Sequence, residues 1–216
     1  MRSPRCRFLI AVASALSLLA TTGLAADFGL DPTASRDTVY FRSTAKLEFI
    51  EGKSNNIEGR FSVDPNHVDS GVTGLLRVDL RTLKTGIETR DGHMRDRHLH
   101  TDKYPYAFFE VDSVTGIPQR LDAGITHVGK VFGFFYIHGV RRPLEASFEA
   151  TRSSESGREK LTIQTKFQLD LDDYGIPRPK ALFLKLAETI NVECIFSGYN
   201  NLAGTAIELP AWLTRE

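Results

Sequence analysis

A regular alternation of apolar and polar residues runs through most of this chain, and it constrains the fold more than any other feature. The longest run has one apolar-rich set on every second residue: Leu161, Ile163, Thr165, Phe167, Leu169 and Leu171. Neighbouring side chains of a strand point to opposite faces, so this pattern is typical of a sheet with one buried face. A shift of one residue would move the whole set into water, and we therefore expect a firmly fixed register.

Shorter alternating runs with turn residues between them predict about eight strands in all. They occur at residues 38–42, 57–63, 76–81, 107–112 and 144–150. Short links between successive strands favour antiparallel pairing, and an antiparallel sheet with one apolar face must cover that face. A closed barrel does so, and a two-sheet sandwich fits the periodicity nearly as well. One helix is predicted, from Glu88 to Leu99, and its faces are charged.

The stretch 131–137, VFGFFYI, is apolar on both faces of a predicted strand. We predict that its outer set is covered by the helix or the C-terminal tail, and that its inner set joins the phenylalanines of the other strands. The predicted outer set is Val131, Phe135 and Ile137; the predicted inner set is Phe132, Phe134 and Tyr136, facing Phe109, Phe148, Phe167 and Phe196. A small barrel fills with such side chains or leaves a slot for a ligand.

Residues 1–26 have the pattern of a cleaved secretory signal peptide. Arg2, Arg5 and Arg7 precede an apolar segment, and small residues surround the expected cleavage site. Residues 27–216 are then one domain, large enough to bury a core. We expect a periplasmic location.

Charge and cysteine content narrow the function further. Without the signal peptide the chain has 24 basic and 27 acidic residues, a net charge of −3, which argues against non-specific nucleic-acid binding. Cys194 is the only cysteine that would remain, so no internal disulfide is expected. It alternates with Val192 and Phe196, which predicts a buried, slowly reacting thiol. No apolar run of the remaining chain is long enough for a transmembrane helix, and we expect no stable membrane insertion.

Three histidines lie in or next to the predicted helix, at His93, His98 and His100. Intervals of five and two residues do not bring two imidazoles to one face of an α-helix, so a solvated lid is favoured over a zinc site. The chain has no nucleophile elbow of the G-x-S-x-G type, no P-loop and no G-x-G-x-x-G motif. A hydrolase or metal-dependent enzyme that uses the lid histidines remains the alternative from another class, and a ligand-free barrel with a filled core is the second.

Several short motifs resemble the YceI family of exported bacterial proteins. They are Thr85-Gly86, RDGHMR at residues 90–95, Tyr104-Pro105, Ala107-Phe108, and IHGVRRPL at residues 137–144. Gly59-Arg60-Phe61 in an early strand fits too, and the resemblance extends from about Arg36 to Phe196. The chain departs from the family's common pattern at residues 97–103, RHLHTDK, where paired phenylalanines are frequent.

The resemblance implies an all-β fold, an eight-stranded antiparallel lipocalin-like barrel with a short helical lid. It further implies a non-enzymatic protein that holds a polyisoprenoid, an isoprenoid quinone or its precursor, with no cofactor and no metal. Whether the chain forms a homodimer stays open. We expect the lipid tail to contact Phe109, Val111, Phe132, Phe134, Phe148, Phe167, Leu169, Val192 and Phe196. The candidates near the head group or in the lid are Arg90, His93, Met94 and His98.

Overall fold

The computed structural model describes residues 25–31, 33, 36–44, 49–178, 180–181, 184–185 and 189–210. The predicted signal peptide, apart from its last two residues, lies outside the described residues. The strands are β1 Ala26–Leu30, β2 Thr38–Thr44, β3 Phe49–Ser54, β4 Ile57–Val63, β5 Val72–Asp79, β6 Tyr106–Thr115, β7 Thr126–Ile137, β8 Val140–Glu155, β9 Arg158–Asp170, β10 Lys180–Ala181, β11 Leu184–Lys185 and β12 Thr189–Asn200. Helix α1, Glu88–His93, continues directly into a π-helical segment, Met94–Leu99. Single 3₁₀ turns span Val68–Ser70, Leu80–Thr82 and Asp172–Tyr174.

The main sheet closes into a barrel. Its strands follow the order β1, β4, β5, β6, β7, β8, β9 and β12, and β12 returns to pair with β1. All of these pairs are antiparallel. β12 pairs with β1 near Asn200 and with β2 near Cys194. β1 and β2 therefore occupy the same strand position of the barrel, one after the other along β12. β3 and β4 occupy the adjoining strand position in the same way. The prediction of an eight-stranded antiparallel barrel is therefore confirmed, and the sandwich is excluded.

The alternating run of β9 faces the interior as predicted. Leu161 is 1% exposed, and Ile163 lies opposite Phe196 of β12. Phe167 lies opposite Val192, and directly opposed residues of an antiparallel pair share one face. The inward rows of β9 and β12 therefore build one wall of the barrel.

The orientation of β7 is the reverse of the prediction. Val131, Phe135 and Ile137 line the interior, whereas Phe132 and Phe134 alternate with them and point outward. The inward position between Val131 and Phe135 is Gly133, where a Cβ would stand 2.0 Å from the Glu110 carbonyl oxygen and 3.1 Å from the Phe109 ring. β7 thus presents glycine where its neighbours approach closely.

Side chains of the neighbouring strands contact two of the outward rings of β7, those of Phe134 and Tyr136. The Arg141 guanidinium lies 3.4 Å from the Phe134 ring centroid, which is a cation–π contact. The Tyr136 hydroxyl donates to Glu110 at 2.5 Å and accepts from Arg141 Nε at 2.8 Å. We predicted that the helix or the C-terminal tail would cover the outer side of this strand. In the structure, the side chains of Glu110 and Arg141 contact these two outward rings instead.

The two ends of the barrel are closed differently. At one end two loops are joined by backbone hydrogen bonds. Val68 N–H donates to Gln119 O, and Leu121 N–H donates to Pro65 O. Both Val68 and Leu121 are buried. At the other end α1 and the π-helical segment, between β5 and β6, form the predicted lid. No helix in the described ranges has the length and apolar character needed to span a bilayer.

Candidate ligand-binding cavity

The inner chamber of the barrel, with a volume of about 140 Å³, is almost entirely apolar. Among its lining residues only Thr165 and Cys194 carry a polar side-chain atom. Of the residues predicted to contact a lipid tail, five line it: Phe109, Val111, Phe148, Phe167 and Phe196. A wall of this kind favours hydrocarbon and offers water few partners.

The outer chamber, under the lid, has a volume of about 430 Å³, which lies in the range of small-molecule sites. It contains Leu169 and Val192 of the predicted tail set, and Phe167 lines this chamber as well. It also carries most of the polar groups of the cavity: Ser43, Thr85, Thr89, Arg90, His93 and His98. The cavity thus has a hydrocarbon end deep in the barrel and a polar end beneath the lid.

The structure brings all four predicted lid residues to the outer chamber. Arg90, His93, Met94 and His98 all line it. The predicted tail residues Phe132 and Phe134 are the exception in the whole set, because they lie on the outer face of β7. Sequence reasoning assigned the wrong face there and missed Phe135, which lines both chambers.

Arg90 is engaged with the start of its own helix. Its Nε donates to Thr85 Oγ1 at 2.8 Å, and its guanidinium also donates to the Thr85 carbonyl at 3.3 Å. Asp91, 6% exposed, accepts from the Thr85 amide at 2.8 Å and from the Thr85 hydroxyl at 2.5 Å. These bonds hold the Thr85 loop against α1, so Arg90 shapes the rim of the chamber as well as charging it.

The π-helical segment places His93 and His98 at the same chamber. A π-helical turn closes between residues five apart, so the interval that would separate them on an α-helix brings them together here. His98 Nδ1 donates to the Pro177 carbonyl at 2.6 Å, and burial lowers the pKa of this imidazole. In the part of the chain that the structure describes, no three His, Cys, Asp or Glu side chains are grouped as metal ligands would be.

Ser43 is the functional candidate that sequence reasoning missed. It is 1% exposed, lines the outer chamber, and its hydroxyl has no hydrogen-bond partner among the described residues. A buried hydroxyl without a partner costs about 1–3 kcal/mol. A ligand oxygen within hydrogen-bond distance of the Ser43 hydroxyl would remove that cost.

Cys194 lies where the two chambers meet. It lines both of them, and burial raises the pKa of its thiol to about 12. The predicted inward orientation is confirmed by its place in the cavity wall. Such a thiol is a poor nucleophile at neutral pH.

The fold and the cavity define a lipocalin-like closed barrel with an enclosed apolar chamber and a helical lid. The sequence profile of the YceI-like domain matches residues 28–196, and the chain belongs to that family. A UPF0312 protein of Pseudomonas putida is 29% identical over 192 residues, which cover 85% of this chain and 93% of the relative. A UPF0312 protein of Shewanella denitrificans is 31% identical over 172 residues, covering 78% and 86%.

Solved structures share the fold. A polyisoprenoid binding domain from Saccharophagus degradans, implicated in plant cell wall breakdown, superposes with a TM-score of 0.62 at 19% identity, covering 80% of this chain and 98% of that one. BcnA of Burkholderia cenocepacia superposes with a TM-score of 0.61 at 13% identity, covering 78% and 98%. At these identities the likeness extends to the barrel and not to individual side chains.

Proposed function

We propose that this chain is a non-enzymatic periplasmic protein that holds a polyisoprenoid, an isoprenoid quinone or a quinone precursor inside its barrel. The observation that carries the proposal is the graded cavity, which is almost entirely apolar in the inner chamber and carries its charged and most of its polar groups beneath the lid. A lipid with a long branched hydrocarbon tail and a small oxygen-bearing head has the same gradient. The solved polyisoprenoid binding domain with this fold supports the same ligand class.

The driving force for the tail would be burial of hydrocarbon. Each methylene removed from water contributes about 0.8 kcal/mol, which is offset by the entropy lost when a flexible chain is ordered. The head would lie in the outer chamber, within the wall that carries Ser43, His93 and Arg90. These groups supply both donors and acceptors, which suits a hydroxyl or a carbonyl.

The hydrogen bonds of two histidines give them a structural role in the lid. His98 bonds to the Pro177 carbonyl, and His100 bonds to His138, so these imidazoles hold the lid in place. The thiol of Cys194 is held protonated by burial. The enzyme alternative would have to use His93, or His98 through Nε2, as a base, without an activated thiolate.

Extraction of native lipid tests the ligand class. The protein would be purified from the periplasm without detergent, extracted with organic solvent and analysed by mass spectrometry. We expect a stoichiometric isoprenoid lipid, and less of it from Ala146→Phe, which fills the inner chamber where Ala146 is 3% exposed. Recovery of only common phospholipids, or of no lipid, would contradict the proposal.

Cell fractionation and intact mass test the location. We expect the protein in the periplasmic fraction with its first 25 or 26 residues removed, as the signal pattern predicts. A cytoplasmic protein that keeps those residues would contradict the periplasmic location. It would not bear on the ligand class, which the lipid extraction tests separately.

A further inference from the structure

The two chambers share a set of lining side chains, which we call the waist. Five strands each contribute one residue that lines both chambers: Val78 from β5, Ala107 from β6, Phe135 from β7, Phe167 from β9 and Cys194 from β12. The waist therefore draws on five of the eight strands of the barrel.

Two phenylalanines occupy most of the waist. The rings of Phe135 and Phe167 are 5.4 Å apart between centroids with an interplanar angle of 60°, which is an edge-to-face contact. On its other side Phe135 packs against Tyr174 at 5.8 Å and 84°. Val78, Ala107 and Cys194 are small by comparison. The passage between the chambers is consequently controlled by the positions of two aromatic rings.

Widening the barrel backbone at the waist would break sheet hydrogen bonds on the β12 side of Phe167 and on both sides of Phe135, whereas β9 pairs with β8 only as far as Lys166. Phe167 lies in a continuous ladder with β12, and Phe135 lies in a continuous ladder with β8. Side chains, in contrast, move between rotamers without breaking backbone hydrogen bonds. A hydrocarbon chain that crosses the waist must therefore displace the Phe135 and Phe167 rings from their mutual contact.

Only a long chain has to cross. Along β9 the distance from Phe167 to Asp170, the last strand residue at the lid end, is about 10 Å, and the distance from Phe167 to Leu161, towards the closed end, is about 20 Å. The outer chamber alone has the volume of a small-molecule site, whereas the inner chamber alone does not. The inner chamber is useful mainly as an extension of the outer one.

We propose that Phe135 and Phe167 form a gate that selects ligands by chain length. The inference rests on the proposed function, because it assigns a role within the lipid cavity. A short prenyl chain occupies the outer chamber and leaves the rings in contact. A longer chain reaches the inner chamber only by rotating the two rings. The isoprene unit that crosses the waist therefore adds less affinity than the units that lie in the outer or the inner chamber.

A prenol series measures the gate directly. Binding of geraniol, farnesol, geranylgeraniol and solanesol would be compared in wild type and Phe167→Ala by displacement of a fluorescent polyene. We expect a break in the affinity-against-length curve of wild type. Phe167→Ala should remove the break, tightening the binding of the longest prenol by roughly tenfold and that of the shortest by less than about threefold.

Phe41→Ala is the matched control. Phe41 lines the outer chamber and does not line the inner one, so its truncation enlarges the cavity away from the waist. This change should alter short and long prenols alike and keep the break. Should Phe167→Ala fail to fold, Phe167→Leu removes the aromatic contact with a smaller loss of volume. Val78→Phe narrows the waist. This change should abolish the additional affinity of long prenols and leave the affinity for short prenols unchanged.

The possible outcomes separate the gate from the binding function. A wild-type curve without a break, or a break that persists in both Phe167→Ala and Phe167→Leu, overturns the gate and leaves the lipid-binding proposal intact. Absence of binding by every prenol, to wild type and variants alike, overturns the proposed function and the gate with it. A break removed by the Phe167 variants and retained by Phe41→Ala establishes the gate.

Discussion

His100 and His138 are joined by a hydrogen bond of 2.7 Å between His100 Nδ1 and His138 Nε2. The direction of the bond follows from a second contact, since His138 Nδ1 lies 3.0 Å from the Tyr174 carbonyl, which can only accept. His138 therefore carries its proton on Nδ1 and accepts at Nε2 from His100. The bond fastens the end of the lid helix to the turn between β7 and β8.

Acidification should loosen this attachment. A proton on His138 Nε2 removes the acceptor of the His100 N–H, and protonation of both rings would leave two donors facing each other. Burial lowers the pKa of His138, so its stabilising contribution is complete above about pH 6.5 and is lost as the pH falls through the lowered value. The His98 bond to Pro177 survives, because a protonated ring still donates. We expect bound prenol to dissociate faster as the pH falls below about 6.5, by roughly three- to tenfold once His138 is protonated.

Asparagine variants check the attachment without changing the backbone. His100 and His138 have φ values of 47° and 54°, in the left-handed region that asparagine tolerates. The double variant His100→Asn/His138→Asn should release ligand at a rate that no longer depends on pH below about pH 6.5. His127→Asn, which removes an imidazole near the opposite end of β7, is the control and should behave as wild type. A double variant with the wild-type pH dependence would contradict the attachment.

Ser43 is predicted to recognise the oxygen of the ligand head. Ser43→Ala removes a hydroxyl that lacks a partner among the described residues, so the ligand-free protein should become more stable by about 1 kcal/mol. The same change should weaken binding of a prenol by about three- to tenfold and leave the corresponding hydrocarbon unaffected. Isothermal titration with the two ligands and urea unfolding measure both effects.

Ser54→Ala is the matched control for Ser43. Ser54 is equally buried, but its hydroxyl contacts Thr82 Oγ1 at 2.6 Å and accepts from the Asn56 amide at 3.0 Å. Its truncation should therefore destabilise the protein, the opposite sign to Ser43→Ala. Equal loss of stability in both variants would show that Ser43 is satisfied in solution and has no special role in the cavity.

The direction of most strands was readable from the sequence because one face of each is polar. In β9 the polar residues Gln164 and Lys166 can be buried only at high cost, so the other set must face inward. β7 has no such residues between Val131 and Ile137, and periodicity alone could not choose its face. The missing signal lay in the partner strand: the two-residue turn at His138 and Gly139 sets Ala146 opposite Val131, which places both on the inner face.

The site depends on features that have no local sequence signature. The change from α- to π-helix at Met94 brings His93 and His98 to one chamber, and the same residues would fit either helix. Ser43 is an ordinary strand serine until the barrel closes around it. The waist requires five strands that are distant in sequence to reach one level. Resemblance to the YceI family predicted the barrel and its lid. The orientation of β7, the place of Ser43 in the cavity and the waist became visible only once the pairing of the strands in the barrel was known.

The thiol of Cys194 should report on the cavity. Because burial raises its pKa to about 12, we expect very slow labelling by a charged thiol reagent in the folded protein. A small apolar reagent should react faster, and a bound prenol should slow it, since the thiol lines both chambers. Ser154→Cys at an exposed position of β8 gives the rate for an open thiol. Labelling of Cys194 by the charged reagent at that rate would contradict the enclosed cavity.

Asp37 should oppose the histidines in the dependence of stability on pH. It is 2% exposed, its Oδ1 accepts from the Ser197 amide at 3.1 Å, and its Oδ2 has no partner among the described residues. Burial raises the pKa of this carboxyl to about 6. The folded state therefore binds a proton more tightly than the unfolded chain, and stability falls as the pH rises from about 4 to about 6, by an order of 2–3 kcal/mol.

Asp37→Asn isolates that contribution because its side-chain carbonyl can still accept from the Ser197 amide. We expect the variant to exceed wild type in stability at about pH 7.5 and to approach it at about pH 4.5, where the carboxyl of the folded protein is protonated. Urea unfolding at the two pH values measures the difference. Asp27→Asn, which removes an exposed charge from β1, is the control for a change in net charge. If both variants shift stability equally at the two pH values, Asp37 is not the group that titrates.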